Sequence, residues 1–418
     1  MTLLQIASLL IVLAGAFGSI NYLFLKLPSS IGILIVAFMA SLAVMGMDFL
    51  VPEWGMAAAV RGQVEGLEFS AALLEGMLGL LLFAGALHVK LPDLKREWMV
   101  VALMATIGVG LSTAIIGVGF SWLTGMPILV ALVFGALASP TDPVAVLGVL
   151  RAANLKKSME TKIAGESLFN DGVAYVVFLV LVGMAFPSGH GHDAYGSGLM
   201  GALKLFGQEA IGGAVLGGVL GWLTFRVMRM IDDFPLEVLI TLGLAFGGYQ
   251  LAVYLHLSAP IMAVVSGLFI GEVGMKHGMS EETREYVDAF WKLIDEILNA
   301  VLFLMIGFEV FAVAFNADAI TAGIGAIGLS LLGRLAAVTV PVLMLKPFRG
   351  FSQGVIPIMT WGGLKGGISV ALALSLPDSE YKPVILAATY ILVMFSIIIQ
   401  GLTVAPLASK VGREPELM

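Results

Sequence analysis

The chain is built from long apolar blocks separated by short polar breaks. A membrane-crossing helix needs about 20 apolar residues. Thirteen blocks of that kind can be marked: residues 3–25, 30–49, 69–89, 98–123, 128–150, 160–186, 203–230, 236–256, 259–276, 286–315, 319–345, 354–376 and 383–409. The pattern predicts an all-α polytopic membrane protein with thirteen transmembrane helices. Two blocks are interrupted. The fifth holds Ser139-Pro140-Thr141-Asp142-Pro143, and the twelfth holds Trp361 to Ser369, WGGLKGGIS, with four glycines and a lysine in a helix interior. Proline removes an N–H and clashes with the preceding turn, so the fifth block is expected to break there. Thirteen blocks divide as six, a linker and six, and the fifth then corresponds to the twelfth. Broken segments at corresponding places in two halves mark inverted repeats. The expected architecture is two inverted six-helix repeats whose fifth and twelfth helices cross and unwind near the midplane.

Unwound helices leave charged ends. An N-terminal end carries roughly +0.5 charge and a C-terminal end roughly −0.5. Asp142 is placed to balance the positive ends and Lys365 the negative ones, while freed backbone carbonyls around Thr141 could ligate a cation. The sixth block adds Glu166-Ser167-Leu168-Phe169-Asn170-Asp171. At about 100° per residue, with Glu166 as origin, Asn170 lies at about 40°, Ser167 at about 100° and Asp171 at about 140°. The four polar groups share one face, which must look into protein or water. The bland alternative is a polar contact that only joins helices. Charge at bilayer depth points to function by default, and a second acid, Asp142, is expected on a neighbouring helix. Arg334, in the eleventh block, cannot shed its proton. Intramembrane acids are few, so Glu166 is its most economical partner, leaving Asp171 and Asp142 uncommitted.

Composition narrows the class. Of 418 residues, 59% are hydrophobic and 12% charged, against about 25% charged in a soluble protein. No sizeable soluble domain fits. The absence of cysteine excludes disulfides and thiolate metal sites, and a net charge of −7 carries no nucleic-acid signature. The apolar start at Leu3, without a basic region or A-x-A site, reads as the first span and not a signal peptide. H-E-x-x-H, a serine nucleophile with a deep histidine, and nucleotide motifs are not apparent. The expectation is a protein that is not an enzyme, uses no cofactor and is driven by an ion gradient.

Lys and Arg set the orientation. Alternate loops and the C-terminal end hold Lys26; Lys90, Lys95 and Arg96; Arg151, Lys156, Lys157 and Lys162; Arg226 and Arg229; Lys276 and Arg284; Lys346 and Arg349; and Lys410 and Arg413. The other loops hold only Arg61, Lys204 and Lys382. Cytoplasmic loops carry the excess, which puts the N-terminus outside and the C-terminus in the cytoplasm. The 53–68 segment reads as a short interfacial helix outside. His190 and His192 read as solvated loop residues, and His88, His256 and His277 as ordinary residues near span ends. Gly213, Gly217 and Gly221 read as close packing, and Ser280 and Thr283 as helix caps.

At these residues the chain resembles the monovalent cation:proton antiporters of the NhaP/NHE kind. The matching stretches are SPTDPVAVLGVL (139–150), GESLFNDGVAYVVF (165–178), FWKLIDEILNAVLFLMIGFEVF (290–311), GRLAAV (333–338) and WGGLKGGISVALALSLP (361–377). The resemblance implies exchange of a cation, sodium before lithium or potassium, for a proton across the cell (inner) membrane. It implies a homodimer and an elevator-like core that carries the crossed helices. The division it suggests is 1–96 dimer/scaffold, 97–186 core, 187–235 linker, 236–317 dimer/scaffold and 318–418 core. Asp171 would be the ion-binding carboxylate, with Asp142, Thr141 and Ser167 around the sodium. Asn170 would be the amide that marks electroneutral members, and Glu166–Arg334 the structural pair. Two departures stand out. The family usually has Arg where Lys365 stands, and lysine, unlike arginine, can lose its proton when desolvated. Many relatives carry an acid in the third span, where this chain has Ala84; Glu75 is the nearby substitute. The competing readings are a transporter of an organic anion on a similar fold, which Asp142 and Asp171 would repel, and an intramembrane enzyme or channel.

Overall fold

A computed structural model of the chain describes residues 3–51, 55, 60–62, 72–142, 157–186, 199–311, 313, 315–352 and 354–411. Among the described residues there are helices and connecting loops but no strand. The helices are α1 (Leu3–Ile20), α2 (Ser29–Leu50), α3 (Leu78–Leu87), α4 (Leu91–Thr124), α5 (Ile128–Leu137), α6 (Lys157–Ala185) and α7 (Leu199–Met228). They continue as α8 (Phe234–Tyr254), α9 (Ala259–His277), α10 (Glu281–Phe308), α11 (Ala317–Leu345), α12 (Val355–Trp361), α13 (Gly367–Leu374) and α14 (Lys382–Val411). Of these described helices, α1, α2, α4, α6, α7, α8, α9, α11 and α14 are long and apolar enough to cross a membrane.

Local chemistry explains the starts. Asp233, Ser258, Ser280 and Asn316 cap α8 to α11 by accepting the N–H of Leu236 at 3.0 Å, Ile261 at 3.4 Å, Thr283 at 3.3 Å and Ala319 at 2.7 Å. Helix α4 begins at Leu91, well before the apolar block that marks it in the sequence. Pro92 suits a first turn, and Asp93 complements the positive end of the dipole. The polar run that follows is helical although it looks like a loop. The 187–198 loop, with His190 and His192, and residues 143–156 lie outside the described residues, as does most of 53–68.

Packing divides the helices into two groups. In one, α4 lies against α5 and α11, α6 against α4 and α5, and α14 against α11 and α13. In the other, α9 lies against α3, α7 and α8, and α10 against α2, α3 and α8. The groups touch where α6 meets α7 and α9, and where α10 meets α13. Gly213 and Gly217 serve the α7–α9 contact. A Cβ on either would come within 2.5 Å of the carbonyl of Ser258 or Met262, so this glycine run packs inside the chain.

Candidate ion site

The two interrupted segments meet. Helix α5 ends at Leu137, and the backbone leaves helical geometry before Thr141 and Asp142. The twelfth span is unwound between α12 and α13, over Gly362–Gly366. The two stretches hydrogen bond directly, Asp142 N–H to the Leu364 carbonyl at 2.7 Å. Glycine is required on the α13 side: a Cβ on Gly366 would lie 2.4 Å from Asp142 Oδ2. Lys365 is buried, and its Nζ donates to the carbonyls of Ser139 at 3.0 Å and Pro140 at 3.2 Å. A cation thus sits on the carbonyls that the end of α5 leaves without intrahelical partners. These two carbonyls face the lysine, not an open cation position.

Helix α6 clamps the same stretch. Asn170 Nδ2 donates to Thr141 Oγ1 at 2.8 Å, and Asn170 Oδ1 accepts the Thr141 N–H at 3.4 Å. Ser167 Oγ lies 2.9 Å from Thr141 Oγ1. Asp171 follows on the same helix and is 4% exposed. It lines a cavity of about 60 Å³ with Thr141 and Asp142 from the broken fifth span, Ser369 from α13 and Asn299 from α10. Leu78, Leu82, Leu168 and Leu302 supply apolar wall. Asp142 and Lys365 are the charges that act on Asp171. Ser167 and Asn170 do not line the cavity; they stand behind Thr141 and hold it.

Glu166 and Arg334 form a buried, two-pronged pair. Arg334 Nη2 donates to Glu166 Oε2 at 2.8 Å, Nη1 donates to Oε1, and Nε donates to the Met359 carbonyl at 3.0 Å. Arg334 lies flat against Gly363, where a Cβ would come within 2.2 Å of Nε. The pair therefore ties α6 to α11 and to the end of α12. The third-span position Ala84 is buried in α3. Glu75 lies in the π-helical turn Ala72–Met77, and its side chain falls outside the described residues. Among the described residues no group of three or more His, Asp or Glu is arranged to hold a metal.

Three features are absent from the sequence reading. Ser396 and Gln400 of α14 satisfy the unwound twelfth span: Lys365 N–H donates to Ser396 Oγ at 2.8 Å, and Gln400 Nε2 donates to the Trp361 carbonyl at 3.0 Å. Asn299 reaches the cavity from α10. Glu97 of α4 gathers Lys162 of α6 at 3.5 Å and Arg349, after α11, at 3.1 Å, with Ser158 Oγ donating at 2.9 Å. A small polar residue in an apolar helix gives no signal of its partner, and charges near helix ends look like solvated loop charges.

The model of the family described as "Sodium/hydrogen exchanger, transmembrane" matches residues 7–410. The chain is 44% identical to the Na(+)/H(+) antiporter NhaP of Pseudomonas aeruginosa, over 98% of this chain and 97% of that protein. It is 37% identical to the Na(+)/H(+) antiporter NhaH of Halobacillus aidingensis, over 82% and 84% respectively. Its fold is similar to that of the sodium proton antiporter MjNhaP1 from Methanocaldococcus jannaschii, with a TM-score of 0.74 at 18% identity, covering 98% of this chain and 99% of that one. The chain belongs to the sodium/hydrogen exchanger family.

Proposed function

We propose that this protein is a secondary antiporter that exchanges a monovalent cation, sodium first and lithium or potassium as alternatives, for a proton. The observation that carries the reading is the carboxylate of Asp171, buried beside a small cavity where two unwound segments meet. A buried carboxylate without a fixed cationic partner can be neutralised by a proton or by a metal cation, and it holds one or the other. Lys365 is hydrogen bonded to carbonyls, and Arg334 to Glu166, so neither side chain is committed by a hydrogen bond to Asp171. Asn170 next to it carries an amide, which does not titrate.

The mechanism follows from that competition. On one side of the membrane the ionised Asp171 takes the cation, with Asp142, Thr141 and Ser167 as the group that shapes its site. The core moves and the cation leaves on the other side. The proton that replaces it lets the site return neutral. One cation against one proton moves no net charge. The proposed moving core comprises residues 97–186 and 318–418, the proposed scaffold and dimer-forming parts residues 1–96 and 236–317, and the linker residues 187–235. The close packing of α4, α5, α6, α11 and α14 supports that division. Thirteen spans in two inverted six-helix repeats, an N-terminus outside the inner membrane, a cytoplasmic C-terminus and a homodimer complete the proposal. The reversed roles of the two breaks support the repeat, with a lysine on one set of carbonyls and an aspartate against the other start. The test is purified protein in proteoliposomes: an imposed pH gradient should drive sodium movement in the wild type and none in Asp171→Asn. A wild type that moves none of sodium, lithium and potassium under the gradient would refute the reading.

A further inference from the structure

The Ser369 hydroxyl is an orphan. It is 1% exposed, lies in the first turn of α13, lines the Asp171 cavity, and has no hydrogen-bond partner among the described residues. A buried hydroxyl left unpaired is destabilising, so its presence needs a reason at the cavity. The same cavity is lined by Asn299 on α10, from the other packing group. Its Nδ2 is turned back along its own helix, donating to the Asp295 carbonyl at 2.7 Å and to Asp295 Oδ1 at 3.0 Å. Both amide hydrogens are used, and among the described residues no donor reaches Oδ1. The cavity therefore has two neutral oxygens that only accept or can accept, one on α13 and one on α10, in addition to the carboxylates of Asp171 and Asp142.

We propose that Ser369 Oγ and Asn299 Oδ1 are ligands of the transported cation, completing its oxygen shell around Asp171 from the α13 and α10 sides. The inference rests on the antiport reading and deepens it. Hard monovalent cations take oxygen ligands, neutral carbonyl and hydroxyl oxygens among them. The volume of about 60 Å³ exceeds the roughly 10–15 Å³ that one water needs, so a partly dehydrated cation with a remaining water fits. Thr141 Oγ1 is already engaged by Asn170 and Ser167, so among the lining side chains Ser369 and Asn299 are the ones whose neutral oxygens are open to a cation. Among the described residues the third span lines the cavity with Leu78, Leu81, Leu82 and Gly85, none of which has a side-chain oxygen. Because α10 and α13 belong to different packing groups, a cation held by both would bridge the groups in this state and lose Asn299 when the core moves.

The test separates a ligand from a packing residue by sign. In proteoliposomes, Ser369→Ala should raise the sodium KM about tenfold, the loss of one oxygen ligand, with kcat little changed. Its melting temperature in sodium-free detergent should equal or exceed the wild-type value, because an unpaired buried hydroxyl has been removed. Sodium should raise the melting temperature of the wild type more than that of the variant. Asn299→Ala should raise the sodium KM similarly. An unchanged sodium KM in Ser369→Ala, or a raised KM accompanied by a lower sodium-free melting temperature, overturns the assignment. Absence of exchange in the wild type would instead defeat the antiport reading. Wild-type exchange that is lost in Asp171→Asn, with KM unaltered in Ser369→Ala and Asn299→Ala, defeats only this inference.

Discussion

Arg334→Ala strips three hydrogen bonds from the junction of α6, α11 and α12: two to Glu166 and one to the Met359 carbonyl. Glu166 is 1% exposed, so its carboxylate is left inside the protein without a compensating cation. Breaking a buried pair by removing one partner is destabilising by about 3–5 kcal/mol, and the carbonyl left without its donor adds about 1 kcal/mol. Unfolding entropy is roughly 2.1 cal/mol/K per residue, so over a chain of 418 residues a loss of about 5 kcal/mol lowers the melting temperature by roughly 6 °C. Glu166→Gln should act in the same direction, because the glutamine amide keeps a bond to the guanidinium but not its charge. The double variant Glu166→Met/Arg334→Met removes both charges and fills the space with apolar atoms, so it should regain much of the lost stability. Scanning fluorimetry in detergent reads all three. Single variants that melt like the wild type, or a double variant worse than both, would refute the structural role and leave the pair a purely functional element.

Other outcomes follow from the same geometry. Asp171→Asn should abolish exchange while the protein melts normally; wild-type turnover in that variant would remove Asp171 from the site. Asn170→Ala should release Thr141 from both of its amide contacts and slow exchange, read as a lower initial rate at saturating sodium. The cycle should ignore membrane potential, which biases a charge-moving cycle by about 2.3 kcal/mol per charge per 100 mV. Currents on solid-supported membranes at saturating sodium would identify Lys365 as a second proton carrier, and Lys365→Arg should then silence them. Exchange should also fall at low pH, where protons occupy the carboxylate, and at high pH, where no proton returns.

The breaks in the fifth and twelfth spans are readable because proline and glycine act on the backbone itself, whatever surrounds them. The shared face of Glu166, Asn170 and Asp171 is readable because helical spacing fixes it. The Arg334 contact with Glu166 was reachable only through scarcity, since guanidinium at bilayer depth needs an acid and few acids are there. Other parts had no such handle. Ser396 and Gln400 lie in an apolar helix and gain meaning only from the unwound backbone opposite them. Lys365 was legible as a balancing charge, whereas its seat on the Ser139 and Pro140 carbonyls depends on how two distant segments cross. Lys162 and Arg349 look like loop charges that orient the chain, yet they gather around the buried carboxylate of Glu97. Asn299 and Ser369 were hidden for the same reason: a lone amide or hydroxyl says nothing of the cavity it faces.

Competition of sodium and proton for Asp171 is the centre of the account, and proton release on sodium binding measures it most directly. Purified protein in weakly buffered detergent is titrated with sodium while pH and bound sodium are followed. By linkage, a site that holds either ion must expel one as it takes the other. At a pH where the Asp171 carboxyl is protonated before sodium is added, the account predicts that the wild type releases a single proton per sodium bound, and that Asp171→Asn releases none. Sodium binding without proton release, or undiminished release in Asp171→Asn, would contradict it.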